Sequence, residues 1–144
     1  MWTRDAEAGN IQACREFGMS FMAYAALGRG FLAGSFHELD ELAPDDRRRN
    51  LPQFRDMQRA RDAQRTMEEI AQAKSATIAQ VSLAWLLAQG DDIVPIPGCK
   101  TLAHLQDNMG AIAIEFTADE LARLNDLAPP DPAMGAREQV TGAV

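Results

Sequence analysis

Two short apolar runs, Ser20-Phe-Met-Ala-Tyr24 and Asp92-Ile-Val-Pro-Ile-Pro-Gly98, constrain the fold more than any other feature, because everything from residue 25 to residue 91 lies between them. Each is bounded by turn-forming residues and reads as a buried strand. A hairpin needs only a few residues, whereas parallel strands need a long, usually helical crossover. The expected class is therefore α/β with a parallel pairing. Pro95 has no N–H to give to a ladder, which keeps the second strand short. Two strands alone also make a marginal sheet with two open edges.

The remaining segments supply the helices. Residues 5–18 carry Ile11, Cys14 and Phe17 at helical spacing, with Asp5 as the expected N-cap and Gly18 as the terminator. A glycine-bearing turn, Leu27-Gly28-Arg29-Gly30, follows the first strand. The connection at residues 31–54 contains Asp45-Asp46-Arg47-Arg48-Arg49, which reads as a self-compensating solvated loop. His37, within it, has no ligand-like companion and is expected to be exposed. Over residues 56–74, Met57, Ala60, Ala63, Met67, Ile70 and Ala71 form the apolar stripe of an amphipathic helix.

Thr77 and Gln80 have capping-box spacing and open a helix over residues 78–89 that is apolar nearly all round, through Val81, Leu83, Ala84, Trp85, Leu86 and Leu87. Such a helix must be covered on more than one side. Leu102, Leu105 and Met109 mark another helix. Thr117 and Glu120 form a second capping box, with Phe116 and Leu121 placed as a hydrophobic staple over residues 118–127. This helix is expected to stop at Pro129-Pro130, and residues 131–144 read as a poorly ordered tail.

With 144 residues, 47% of them hydrophobic and 24% charged, the chain has the balance of one globular domain. Its formal charge of −7 repels nucleic acid and anionic membrane surfaces. Cys14 and Cys99 lack CxxC or CxxH companions, which points to reduced thiols in a cytoplasmic protein rather than a metal site or a disulfide. The N-terminus lacks a signal-peptide core. The longest apolar stretch, residues 78–88, includes Gln80 and Ser82 and is too short to span a bilayer.

Four segments read together resemble the C-terminal half of an aldo-keto reductase: Trp2-Thr3-Arg4-Asp5, Tyr24-Ala-Ala-Leu-Gly-Arg-Gly-Phe-Leu-Ala-Gly34, Ser82-Leu-Ala-Trp-Leu-Leu-Ala-Gln89, and Ile93-Val-Pro-Ile-Pro-Gly98 with Leu105-Gln-Asp-Asn108. The resemblance implies that residues 1–130 are a partial aldo-keto reductase domain, the C-terminal portion of a (β/α)8 TIM barrel. About two strands with surrounding helices are present, matching the seventh and eighth, and such barrels carry their sites on loops at the C-terminal strand ends. The parent reaction is NADPH-dependent reduction of aldehydes or ketones to alcohols. The family's catalytic Asp, Tyr, Lys and His fall in the other half, so no catalytic residue is expected here and the chain alone is expected to be inactive.

What the resemblance does imply is a cofactor cradle for NADP. Tyr24 matches the tyrosine that stacks on the nicotinamide, and Leu27, Gly28 and Gly30 the turn whose N–H groups meet the pyrophosphate. Gly98, Cys99 and Lys100 lead into the helix start where the 2′-phosphate would bind, a place that favours anions on physical grounds as well. His104 stands where many relatives carry arginine, and Asp107 and Asn108 match contacts to the adenine edge. Ala25 and Ala26 stand where Ser and Pro are usual. From position alone, Tyr24 reads as an ordinary buried aromatic, and Asp107 and Asn108 as solvated polar residues.

Two functional readings follow. One is a cofactor-cradling reductase segment completed by a first-half barrel partner. The other is a non-catalytic α/β interaction module, or a truncated gene product, that associates with itself or a partner through exposed barrel faces.

Overall fold

The computed structural model describes residue 2, residues 4–51, residue 54 and residues 56–127. Two strands, β1 (Phe21–Ala23) and β2 (Ile93–Pro95), pair in parallel with Phe21 opposite Ile93, Met22 opposite Val94 and Ala23 opposite Pro95. The Phe21 N–H donates to the Asp92 carbonyl at 2.7 Å and the Ile96 N–H to the Ala23 carbonyl at 3.3 Å. Pro95 thus sits at the strand end between two made bonds, where its missing N–H does little harm. The expected parallel α/β order holds.

The helices are α1 (Asn10–Glu16), α2 (Met57–Ala73), α3 (Ile78–Leu87), α4 (Leu102–Gly110) and α5 (Ala118–Asp126). The single helix expected over residues 5–18 is two pieces. Asp5–Ala8 forms a 3₁₀ turn, and Gly9, at φ 152°, breaks it from α1. Asp5 is not the cap, because that place falls to Arg4, whose side chain binds Glu7 and the Asn125 carbonyl instead of capping. Gly18 does terminate α1. At φ 65° it lets Met19 N–H reach the Cys14 carbonyl at 2.8 Å and its own N–H reach Arg15 at 3.2 Å, a Schellman arrangement.

Asp56 caps α2 by accepting from Arg59 N–H at 3.0 Å, and Ala60, Ala63, Met67, Ile70 and Ala71 are buried as the stripe requires. Both capping boxes form, Thr77 with Gln80 and Thr117 with Glu120. Ala79 and the run Val81 to Trp85 are buried, since α3 is covered by α2 and packs on β2 and α4. The Ser82 hydroxyl, fully buried, sits 2.9 Å from the Leu32 carbonyl. Trp85 Nε1 donates to Asn125 Oδ1 at 2.9 Å, joining α3 to α5. Phe116 and Leu121, the staple pair, are half-buried against the main core.

That core lies in the connection rather than under the sheet. Phe31, Phe36 and Phe54 pack ring against ring with centroids 5.4 to 5.5 Å apart, and Trp2 joins at 5.3 Å from Phe31. Leu32, Leu42 and Leu51 close around them against α2. Gln64 is buried on α2, where its Nε2 donates to the carbonyls of Phe31 (2.9 Å) and Phe36 (3.1 Å). Its Oε1 lies 3.0 Å from His37 Nδ1, so the exposed His37 has a structural partner. The charged connection at residues 31–54 therefore supplies most of the core aromatics, with short 3₁₀ turns at Gly28–Ala33, Leu39–Glu41 and Arg47–Asn50 along it.

Among the described residues, only one face of the sheet is covered. Ala23 and Ile93 are buried toward the helices, whereas Met22 is 62% and Tyr24 76% exposed, with Val94 and Ile96 exposed beside them. Alternation along a strand puts these four on one face. On α4 no residue is buried, and Leu102, Leu105, Met109 and the following Ile112 all stand exposed. The expected stop at Pro129-Pro130 and the tail at 131–144 lie outside the described residues.

Candidate cofactor site

Because the strands are parallel and Ala23 faces Pro95, both strands leave the sheet at the same end. The loops at residues 24–30 and 96–101 therefore open side by side, at the end of a parallel sheet where α/β proteins carry their sites. Tyr24 leads the first loop. Its exposure, 76%, rules out the buried aromatic and leaves the ring accessible above the open sheet face.

The first loop is built from left-handed residues. Ala25 (φ 52°), Gly28 (55°), Arg29 (56°) and Gly30 (98°) all have positive φ. Glycine adopts this region without penalty, but alanine and arginine do so only when neighbours hold them. A Cβ at Gly28 would meet Leu32 Cγ at 2.8 Å, so the position also requires close approach. Gly28 N–H donates to the Ala25 carbonyl at 2.8 Å and Gly30 N–H to Leu27 at 3.0 Å. These two amides, expected to face pyrophosphate, are engaged inside the turn, and what the glycines supply is its shape. Ala26 is buried with Leu83, Ala84 and Ala111, against which Leu27 also packs.

Arg48 reaches this loop from far along the chain, its Nη1 donating to the Arg29 carbonyl at 3.1 Å. Its Nε and Nη2 grip the Asp46 carboxylate, with Nη2 to Oδ2 at 2.6 Å. These bonds, with the Arg48 N–H, hold the Asp46 carboxyl down to about 2. The basic run expected to be merely solvated thus has one member that binds the loop after β1. No local pattern announces this, since the contact joins positions far apart in the chain.

In the second loop Gly98, Cys99 and Lys100 are exposed, and Cys99 Sγ lies 3.4 Å from the Thr101 carbonyl. Thr101 caps α4, accepting from His104 N–H at 3.1 Å. The amides of Leu102 and Ala103 have no partner inside the helix, as at any helix start. His104 is exposed. Asp107 is turned to α3, where its carboxylate accepts from the Thr77 hydroxyl at 3.1 Å and from Gln80 Nε2 at 3.1 Å. Asn108 is half-buried next to it. The structure thus gathers Tyr24, the 27–30 turn and the 98–104 segment at one end of the sheet, and gives Asp107 a fold contact.

Among the described residues no three His, Cys, Asp or Glu side chains gather as a metal site, and no helix is long and apolar enough to cross a membrane. Both cysteines are free thiols.

A parallel pair with helices on one face and two loops at a shared end defines a segment of an α/β domain that carries its site at the strand ends. A model of the aldo/keto reductase family matches residues 1–129. The chain is 35% identical over 142 residues to aldo-keto reductase str7 of Strobilurus tenacellus, covering 97% of this chain and 42% of that protein. It is 38% identical over 133 residues to aldo-keto reductase yakc of Schizosaccharomyces pombe, whose name carries the qualifier NADP(+), covering 91% and 39%. A probable aldo-keto reductase 1 of Glycine max is 32% identical over 139 residues, covering 95% and 40%. The fold overlays the crystal structure of a thermostable aldo-keto reductase bound to the inhibitor epalrestat with a TM-score of 0.61 at 30% identity, covering 87% of this chain and 36% of that one. The chain belongs to the aldo/keto reductase family. It spans about two fifths of the length of these curated relatives.

Proposed function

We propose that the chain is the cofactor-cradling segment of an NADP-dependent aldo-keto reductase, the C-terminal part of its barrel, with residues 1–130 as the domain portion and 131–144 as a tail. The observation that carries this reading is the exposed Tyr24 ring on the uncovered sheet face, at the end where both loops open. A flat ring there orients a planar nicotinamide and presents one of its faces. Bound NADPH supplies the hydride for reduction of an aldehyde or ketone. The residues of this chain bind and orient.

The donor chemistry fits such a ligand. Lys100 and the open amides at the start of α4 suit the 2′-phosphate. The nearby Asp107 carboxylate is engaged by the Thr77 hydroxyl and Gln80 Nε2 at the start of α3. His104 stands exposed on the first turn of the same helix, where it adds a polar contact. The uncovered sheet face, both strand edges and the apolar side of α4 receive a first-half barrel segment as partner, and self-association uses the same faces when that partner is absent. The free thiols suit a cytoplasmic setting.

Titrating NADPH against tryptophan fluorescence tests this. Tyr24→Ala is expected to weaken binding about tenfold, equivalent to about 1.4 kcal/mol. Equal affinity in the variant and the parent chain refutes the stacking role.

A further inference from the structure

We propose that Arg48, oriented by Asp46, is a positioning residue for the dinucleotide: it fixes the Arg29 carbonyl and with it the turn at residues 27–30. The inference deepens the cofactor reading above and rests on it.

The turn has three consecutive left-handed residues, of which Arg29 at φ 56°, ψ 34° is the one that glycine does not excuse. Such a residue persists only when its surroundings over-determine it, at a cost on the order of 1–3 kcal/mol. Both sides of its following peptide are held. Gly30 N–H donates to Leu27 at 3.0 Å, and the Arg29 carbonyl accepts from Arg48 Nη1 at 3.1 Å. Gly30 suits the turn through its φ of 98°, and a Cβ there would lie a tight 3.3 Å from Ser35 Cβ.

The guanidinium is itself fixed. Asp46 takes Nε and Nη2 through both carboxylate oxygens, and the Arg48 Cζ lies 5.0 Å from the Phe36 ring centroid. Phe36 is fully buried in the aromatic core, so the turn is referenced through Arg48 to that core. A planar fork satisfies all three contacts, whereas the three N–H groups of a lysine all donate from one nitrogen.

The test compares two ligands on the full chain. NADPH spans the turn, whereas adenosine 2′-monophosphate carries no pyrophosphate and reaches only the α4 start. Arg48→Met is expected to raise the Kd for NADPH about tenfold and leave that for adenosine 2′-monophosphate within about twofold. Arg48→Lys is expected to recover little, and Asp46→Asn to fall between. Equal losses for both ligands, or no loss for either, overturn the proposal. If the unaltered chain binds neither ligand, the cofactor reading itself fails. Amide exchange at residues 29–32 then decides the latch: faster exchange in Arg48→Met upholds it and unchanged exchange removes it.

Discussion

The single hydroxyl of Thr77 faces both carboxylate oxygens of Asp107 at 3.1 Å, tying the middle of α4 to the first turn of α3. Gln80 Nε2 reinforces it at 2.9 Å to the Asp107 carbonyl. A carboxylate at a helix start also meets the positive end of the dipole. Asp107→Ala is therefore expected to destabilise the chain by about 1–2 kcal/mol and leave NADPH affinity unchanged. Urea unfolding and a ligand titration check it together, and a loss of affinity without a loss of stability would return Asp107 to the adenine.

Gly28 and Gly98 make a matched pair of tests. Alanine at Gly28 meets Leu32 Cγ at 2.8 Å and must hold φ 55°, whereas at Gly98 nothing lies within 4 Å. Gly28→Ala should cost roughly 1–3 kcal/mol. Gly98→Ala should stay within about 0.5 kcal/mol. Equal shifts in the urea midpoint would mean that the turn relaxes around the added methyl.

Several parts of this arrangement were legible before any fold was known, and the reason is locality. A capping box is written within four residues, so Thr77 with Gln80 and Thr117 with Glu120 read directly. Gly18 as terminator and the stripe of α2 are equally local. Tertiary packing decided the rest. Gly9, not Asp5, sets where α1 begins, because a φ of 152° leaves no continuous helix. Phe31, Phe36 and Phe54 follow neither period, since 3₁₀ turns joined by bends give no regular repeat, and a charged run hides them. At the site, strand order placed Tyr24 and Lys100 at one end, but Arg48 is set by a contact between segments that no spacing rule joins.

Stability should fall in acid. Lys74, 2.8 Å away, and the Thr117 N–H hold Glu120 below its ordinary 4.5, and Arg15 holds Asp92 below its ordinary 3.8. Arg48 holds Asp46 down to about 2. A lowered carboxyl stabilises the fold above its ordinary value and loses that contribution as pH falls through its folded value. Urea midpoints should thus be level above about pH 5 and decline from there toward pH 2. Glu120→Gln keeps the capping geometry without the charge and should flatten the upper part of the decline. An unchanged slope would show that the Lys74 pair contributes nothing.

The uncovered faces predict association. Met22 at 62% exposure, with Tyr24, Val94 and Ile96, forms an apolar patch of a kind that monomers seldom leave open. Without a partner the chain should elute above its 15.8 kDa mass, and Met22→Lys combined with Ile96→Lys should shift it toward that mass. Light scattering on the eluting peak reads both. A unaltered chain that is monodisperse at 15.8 kDa would show that water tolerates the open sheet.

The placement of the aromatic cluster has a consequence for how the molecule acquires its shape. Pairing β1 with β2 directly means closing a loop that runs through the connection and both long helices, with an entropic toll that rises with its length. Phe31, Phe36 and Phe54 pack with α2 over shorter separations, and the Ser82 hydroxyl binds the Leu32 carbonyl, holding α3 to the segment just beyond β1. The strands are thereby brought together by groups that belong to neither. The sheet thus rests on borrowed support, which leaves the residues on its open face to answer to whatever covers them.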